Sequence, residues 1–376
     1  MFKCVDLFCG AGGLSQGFRQ NGFDILLAND FDTWCEATYR LNHPETIFVS
    51  GSIQNIEARD ILSPLDMQAG DLDCIIGGPP CQAFSVYNHQ RGMHDERSGL
   101  FREYLRLVEG LMPKYVVIEN VPGMNSVEDG IAVSEIKQGL SRLGYKVDVS
   151  LLKAEDYGVP QERRRLFFIG NRIGADINFP APTHGTNAKP FATVWDAISD
   201  LPALKNGEGQ DGVPYPIKPQ VDYQKFSRKG ATTVYNHIAP SLGDINLKRL
   251  HYIPEGGSWR DIPVELLPAG MKRAKRSDHT KRYGRLRKDG LASTILTKCD
   301  PHWGAFFHPE QDRVITVREA ARLQGFPDKL VFLGNRSEQY KQVGNAVPVQ
   351  MSAAVAKMVF QSLSQHEVKL ARQYAA

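Results

Sequence analysis

A thiol stands behind two prolines in Gly77-Gly78-Pro79-Pro80-Cys81-Gln82-Ala83-Phe84-Ser85, directly after the apolar run Leu72 to Ile76. A cysteine that merely fills a core belongs inside such a run, as Cys74 does; two prolines instead make a stiff turn that holds Cys81 at the exit. A thiol so placed is a candidate nucleophile, acting as its thiolate. Glu119 ends a second apolar run, Tyr115 to Ile118, where partial burial would favour the protonated acid and make it a proton donor. A salt-bridged helix-cap carboxylate would occupy the same place. Gln161, Arg163 and Arg165 alternate, so an extended chain turns all three to one side, where they could hold an anion or the polar edge of a ring. Glycines 10, 12 and 13 follow the run Lys3 to Phe8 and open the backbone to a ligand, and Asp30 lies twenty residues beyond Gly10, where a carboxylate can meet ribose hydroxyls. The glycine pattern alone decides little: Ser15 takes the last position of G-x-G-x-x-G, and a tight turn needing small residues would look the same. Phe31 could stack on an adenine or belong to the core.

These residues need elements to position them. Lys3 to Phe8, Phe23 to Ala28, Leu72 to Ile76, Tyr115 to Glu119, Lys146 to Leu152 and Arg165 to Gly170 read as strands. Leu14 to Gln20, Trp34 to Leu41, Leu100 to Leu111 and Ile131 to Leu143 have helical spacing. The alternation predicts an α/β fold, an open and mainly parallel sheet covered by helices on both faces. Ligands of such sheets bind beyond the carboxyl ends of the strands, where most of the residues above stand. From about Pro180 to Pro268 prolines and glycines are frequent and periodicity is weak, leaving only Thr193 to Leu201 and Ser241 to Tyr252 as short elements. That is a second, irregular domain. Helices return at Thr316 to Gln324 and Val347 to Leu363, and the tail after His366 is expected to fray.

Composition narrows the class. With 376 residues the chain exceeds the size at which one core keeps growing, which predicts two domains, one of them able to be discontinuous. A 42% hydrophobic and 23% charged chain with 34 Gly and 22 Pro is ordinary for a loop-rich soluble enzyme. No apolar run reaches the roughly 18 residues that cross a bilayer, and the start lacks a signal peptide, so a cytoplasmic protein is expected. The cysteines at 4, 9, 35, 74, 81 and 299 include no C-x-x-C pair, as where thiols stay reduced, and no metal site is expected. A net charge of +3 is too small to argue for nucleic acid, but residues 271–290 hold nine Lys/Arg against two Asp, a local surplus of seven that leaves the rest of the chain at −4.

Taken together, the motifs resemble those of the DNA cytosine-5 methyltransferases. Asp6-Leu7-Phe8-Cys9-Gly10-Ala11-Gly12-Gly13 is similar to the family's S-adenosylmethionine turn, Pro79-Pro80-Cys81-Gln82 to its nucleophile loop, and Glu119-Asn120-Val121 to its acidic motif. Gln161-Glu162-Arg163-Arg164-Arg165 resembles its basic motif, Arg318 to Pro327 the segment supporting the recognition domain, and Gly344-Asn345-Ala346-Val347 the final motif. They occur in the family order and cover residues 1 to about 175 and 290 to 360; the segment between takes the position of the variable target-recognition region.

The resemblance implies a Rossmann-like sheet in residues 1–180, a target-recognition domain in 181–312 and a return to the catalytic domain in 313–376. It implies methyl transfer from S-adenosylmethionine to carbon 5 of a flipped cytosine in duplex DNA. Cys81 would add at carbon 6, and Glu119, Arg163 and Arg165 would serve the ring. Cofactor contacts would come from Phe8, Gly10, Gly13, Asp30, Phe31, Ser52, Ile53, Pro80, Leu100, Asn345 and Val347, with Asp30 on the ribose. Ser52 departs from the family's usual acidic residue and offers adenine a hydrogen bond without charge assistance. DNA would meet Gln82, Ser85 and Arg97 on the loop after Cys81, and Lys272, Arg273, Lys275, Arg276, Lys281 and Arg282 in the basic run. A monomer is expected, serving a restriction-modification system beside a cognate endonuclease. A tRNA methyltransferase of the same chemistry usually has a small recognition region and a Cys-Phe-Thr tripeptide, and neither feature occurs here. A silent DNA-binding relative would need only one of the four catalytic residues to be lost. A nicotinamide-dependent dehydrogenase would leave the Pro-Pro-Cys turn unexplained.

Overall fold

A computed structural model describes residues 1–80, 99–126, 130–275, 277–278 and 281–374 of the protein. The chain divides into two compact units, one of Met1–Lys153, Arg164–Pro182 and Val347–Ala376, the other of Ala154–Arg163 and Thr183–Ala346.

The first unit is built in β/α alternation: β1 (Phe2–Leu7), α1 (Gly13–Arg19), β2 (Phe23–Asp30), α2 (Thr33–Asn42), β3 (Ile47–Ser50), α3 (Ala58–Leu62), β4 (Cys74–Gly77), α4 (Leu100–Leu111), β5 (Tyr115–Asn120), α5 (Ile131–Arg142), β6 (Lys146–Lys153) and β7 (Arg164–Asn171). The strands form one sheet in the order β3-β2-β1-β4-β5-β7-β6. Neighbours from β3 to β5 run parallel, and β7 runs antiparallel to both β5 and β6. β4 and β5 are buried at every residue, as strands between two helical layers must be. On one face Tyr104, Leu107 and Leu111 of α4 and Ile136 and Leu140 of α5 share a core with Leu7, Ile75, Val116 and Ile118. The sequence pattern does not foretell edge strand β3: only Phe48 of its four residues is buried, too little apolar signal to read. β1 pairs with β2 on one side and β4 on the other, so the strand order reverses there, and the carboxyl ends of β1 and β4 form the switch point where sheets of this kind bind ligands. Glycine is required at the end of β4. A Cβ on Gly77 would lie 2.5 Å from the Leu7 carbonyl oxygen and 2.7 Å from the Tyr104 ring.

The second unit has short elements: α6 (Val194–Ile198), β8 (Val213–Pro214), α7 (Asp222–Ser227), β9 (Thr233–Val234), α8 (Asp244–His251), β10 (Gly284–Arg285), β11 (Ala305–Phe307), α9 (Val317–Leu323) and α10 (Arg336–Asn345). Buried charge organises it where apolar periodicity does not. Arg322 bonds Asp200 and also Asp328, the latter at 2.6 Å, with all three side chains fully buried. Arg313 grips Glu319 through two bonds of 2.8 and 2.7 Å, while Thr316 and Glu319 cap α9 reciprocally. Removing one partner of such a pair costs about 3–5 kcal/mol, because the other charge stays buried. These contacts tie residues 313–346 into the second unit. The chain therefore returns to the first unit at Val347, later than the expected 313, and Ala154–Arg163 belongs with the second unit.

The last helix, α11 (Val349–Tyr374), runs well beyond the expected Leu363, and the tail expected to fray after His366 is helical. It packs on α1 at close range: Ser352 donates to the Leu14 carbonyl at 2.8 Å, and a Cβ on Gly17 would meet Ser352 Oγ at 2.4 Å and the Ala353 nitrogen at 2.5 Å. Gly17→Ala is accordingly expected to cost about 1–3 kcal/mol by overpacking, read as a lower denaturation midpoint. An unchanged midpoint would show that the two helices part freely.

Candidate active site

The strand register brings the carboxyl ends of the parallel strands into line, with Leu7 opposite Asn29 and Gly77, Asp30 opposite Ser50, and Gly77 opposite Ile118. At the exit of β1 the chain takes left-handed dihedrals at Phe8 (φ 59°), Gly10 (φ 54°) and Gly12 (φ 83°), a conformation that is strained for the phenylalanine. Asp30 holds this turn to β2: one carboxylate oxygen accepts from the Gly10 nitrogen at 2.8 Å, the other from the Asp32 nitrogen at 2.9 Å. Burial raises its pKa above the usual carboxylate value, and the remaining lone pairs can still accept from hydroxyls. Beneath the turn, Asp6 is fully buried and accepts from Ser15 Oγ at 2.6 Å; burial, with the nearby Asp30 charge adding, pushes its pKa up to about 7.

Several features fit a nucleoside cofactor. Built Cβ atoms on Gly10 and Gly51 would meet nothing within 4 Å, so open space lies beside both turns. Phe31, expected to stack on a ring, is 66% exposed and is not a core residue. Ser52 caps the short turn Ile53–Asn55 through the Gln54 nitrogen. Ile53 and Leu100 pack on the core, Gly13 starts α1, Pro80 is half-buried and Val347 buried. Asn345 ends α10, exposed, in the second unit.

Glu119 and Arg165 meet at the exit of β5. β5 and β7 pair with Asn120 opposite Leu166, so the residue before Leu166 reaches the strand end, and Arg165 Nε lies 2.6 Å from Glu119 Oε1. Both side chains are nearly buried, at 12% and 10% exposure, which strengthens their attraction. Burial lowers the Arg165 pKa while the Glu119 charge raises it. The turn after β4 adjoins this pair. A Cβ on Gly78 would sit 3.1 Å from Glu119 Oε2, and Asn120 Nδ2 donates to the Pro79 carbonyl at 3.1 Å while its Oδ1 accepts from the Val121 nitrogen at 2.8 Å. Sequence reasoning gives Asn120 no role of its own, although its place directly after the acid in Glu119-Asn120-Val121 is a usable signal. Cys81, Gln82, Ser85 and Arg97 lie outside the described residues, as does Arg276.

Gln161, Arg163 and Arg165 do not gather on one group. Gln161 donates to the Leu323 carbonyl and Gln324 Oε1 and accepts from the Ile295 nitrogen. Arg163, 1% exposed, donates to the carbonyls of Ile295, Gly344 and Ala346. Both brace the second unit; Arg165 is the one that meets the acid. The basic run is likewise less uniform than its sequence. Lys281 pairs with Glu162, Arg285 with Asp312, Arg287 with Asp289 and Lys288 with Glu310. Lys272, Arg273 and Lys275 are exposed and form no ion pair among the described residues.

Comparisons with known proteins bear on the family. The family model described as C-5 cytosine-specific DNA methylase matches residues 2–361. The chain is 34% identical to the type II methyltransferase M.AgeI of Thalassovita gelatinovora, covering 96% of this chain and all of that one. It is 35% identical to the type II methyltransferase M.DdeI of Desulfomicrobium norvegicum, over 94% and 88% of the two chains. A crystal structure of a putative DNA modification methyltransferase encoded within an E. coli prophage superposes with a TM-score of 0.77 at 27% identity, covering 97% of this chain and all of that one. With motifs, sheet order and near-complete coverage in accord, the chain belongs to the C-5 cytosine-specific DNA methylases.

Proposed function

We propose that this DNA cytosine-5 methyltransferase uses S-adenosylmethionine, with Cys81 as nucleophile and Glu119 as the acid that serves the ring. The observation carrying the residue roles is the Glu119–Arg165 pair beside the turn that leads into Cys81. Phe8, Gly10, Asp30 and Phe31 would hold the cofactor's nucleoside, Asp30 toward ribose and Phe31 against adenine. When bound, that cofactor supplies an electrophilic methyl group on a sulfonium.

Carbon 5 of cytosine is a poor nucleophile. Attack of the Cys81 thiolate at carbon 6 moves the ring electrons toward carbon 5 and toward N3, where Glu119, acting as the neutral acid after its carboxylate has taken up a proton, donates that proton and relieves the developing charge. Arg165 holds the Glu119 carboxyl in place and would set a positive charge beside the polar edge of a ring that Glu119 serves. After carbon 5 gains the methyl, a base removes the proton left there, and elimination frees the thiol. Arg163 contributes indirectly, by fixing backbone carbonyls of the second unit. The target carbon is inaccessible in a stacked duplex, so the base is extruded at a cost of a few kcal/mol.

Bisulfite sequencing of plasmid DNA from an expressing host tests the proposal: one cytosine in one short sequence context is expected to be protected. Uniform conversion in a host making folded protein would contradict it. The exposed Lys272, Arg273 and Lys275 would meet phosphates. Changing all three to Gln is expected to weaken DNA binding and lower the slope of log K against log salt by about 0.9 for each phosphate that is no longer neutralised; an unchanged slope would remove these residues from the interface. The setting that fits is a monomeric cytoplasmic modification enzyme with an endonuclease partner. No helix among the described residues is long and apolar enough to cross a membrane.

A further inference from the structure

Arg282 differs from every other described cation of the basic run. Its guanidinium neither pairs with a carboxylate nor stands fully exposed: half-buried, it lies over the Trp303 indole with 5.0 Å between its carbon and the ring centroid. No acceptor among the described residues takes its hydrogens. A guanidinium over an indole is held through its charge, and its N–H donors remain available to another partner.

The indole that supports it is itself 51% exposed and held in a stiff frame. The Trp303 nitrogen donates to the Asp300 carbonyl at 2.9 Å, and the His302 nitrogen to Asp300 Oδ1 at 2.9 Å. His302 stands edge-on to the indole at 4.9 Å and to Tyr283 at 5.9 Å. Tyr283 takes φ 50°, costly for a tyrosine, and its nitrogen donates to the Pro301 carbonyl at 2.6 Å. Beyond it, β10 pairs with β11 so closely that a Cβ on Gly284 would lie 2.5 Å from that of Ala305. Residues 282–284 and 300–305 thus form one preorganised piece that presents an arginine over an indole, without a carboxylate partner among the described residues, in the same run as the exposed Lys272, Arg273 and Lys275.

We propose that Arg282 reads a guanine of the target sequence, donating two bonds to its O6 and N7, with Trp303 as the positioning residue that fixes the guanidinium plane. The proposal rests on duplex DNA being the substrate. An arginine fork fits a phosphate as well as a base edge, but the free lysines of the run already supply charge for phosphates; a fork placed over an exposed indole adds two directed donors, which match the paired acceptors of a guanine edge. The built frame is otherwise an expensive way to expose a tryptophan.

The test measures kcat/KM on duplexes in which each base pair of the mapped target is changed in turn. R282K keeps the charge, so non-specific DNA affinity and the salt slope are expected to stay near wild type, while kcat/KM on the cognate duplex drops and discrimination at one G·C pair falls by about 5- to 150-fold. Trp303→Phe should retain that discrimination, and Trp303→Leu should lose it at the same position. Full discrimination at every position by R282K, or an equal loss at all positions, would overturn the proposal, and R282K decides even where Trp303→Leu fails to fold. Wild-type protein that leaves DNA unmethylated would refute the proposed function as well, whereas an active wild type with an unaltered R282K refutes the guanine contact alone.

Discussion

Exchanging Cys81 for serine is expected to bring methyl transfer to background while cofactor and DNA binding persist. Thiolate is accessible near neutral pH and adds readily to an electron-poor ring carbon, whereas a serine hydroxyl beside the same prolines stays protonated and attacks weakly. Without addition at carbon 6, carbon 5 never becomes electron-rich enough to take the methyl. Radiolabel transfer to a cognate duplex measures the loss, and calorimetric titration with S-adenosylhomocysteine measures what remains. Appreciable methylation by C81S would take Cys81 out of the mechanism.

Glu119→Gln is expected to lower kcat by about 10²- to 10⁴-fold, the range of general acid catalysis, with cofactor affinity unchanged. Glutamine matches the shape of the acid and can still donate a hydrogen bond, but it cannot deliver the proton that N3 needs. The variant also leaves Arg165 nearly buried without its carboxylate, so its melting temperature should fall. Activity measured well below that melting point separates the two effects. A kcat within a few-fold of wild type would assign Glu119 to structure alone.

The first unit is legible in its sequence where its strands are continuous apolar runs, as in β4 and β5. Tyr115 to Glu119 and Leu100 to Leu111 match β5 and α4 almost to the residue, and the chemistry follows such runs at their carboxyl ends. What the pattern cannot carry is pairing between residues far apart along the chain. Arg163 and Arg165 are two residues apart and look equivalent in the sequence, yet one donates to Gly344 and Ala346 and the other to Glu119. The second unit is opaque for a related reason. Beside apolar side chains such as Leu250, Phe306 and Phe307 it buries ion pairs such as Arg322 with Asp200 and Arg313 with Glu319, which leave no periodic trace. The basic run looks freer in the sequence than it is: half of its described cations already face acids, a neutralisation that depends on Glu162, Asp312 and Glu310 from elsewhere in the chain as well as on the neighbouring Asp289.

A cysteine sulfur is expected to bond to the target base during turnover. A cognate duplex carrying 5-fluorocytosine at the target position tests this most directly, because fluorine cannot leave as the proton does and the adduct persists. Incubation with S-adenosylmethionine should give a denaturation-stable protein–DNA species whose peptide map places the cross-link on Cys81. An enzyme that methylates the ordinary duplex yet forms no such species, or forms it on another residue, would contradict the account.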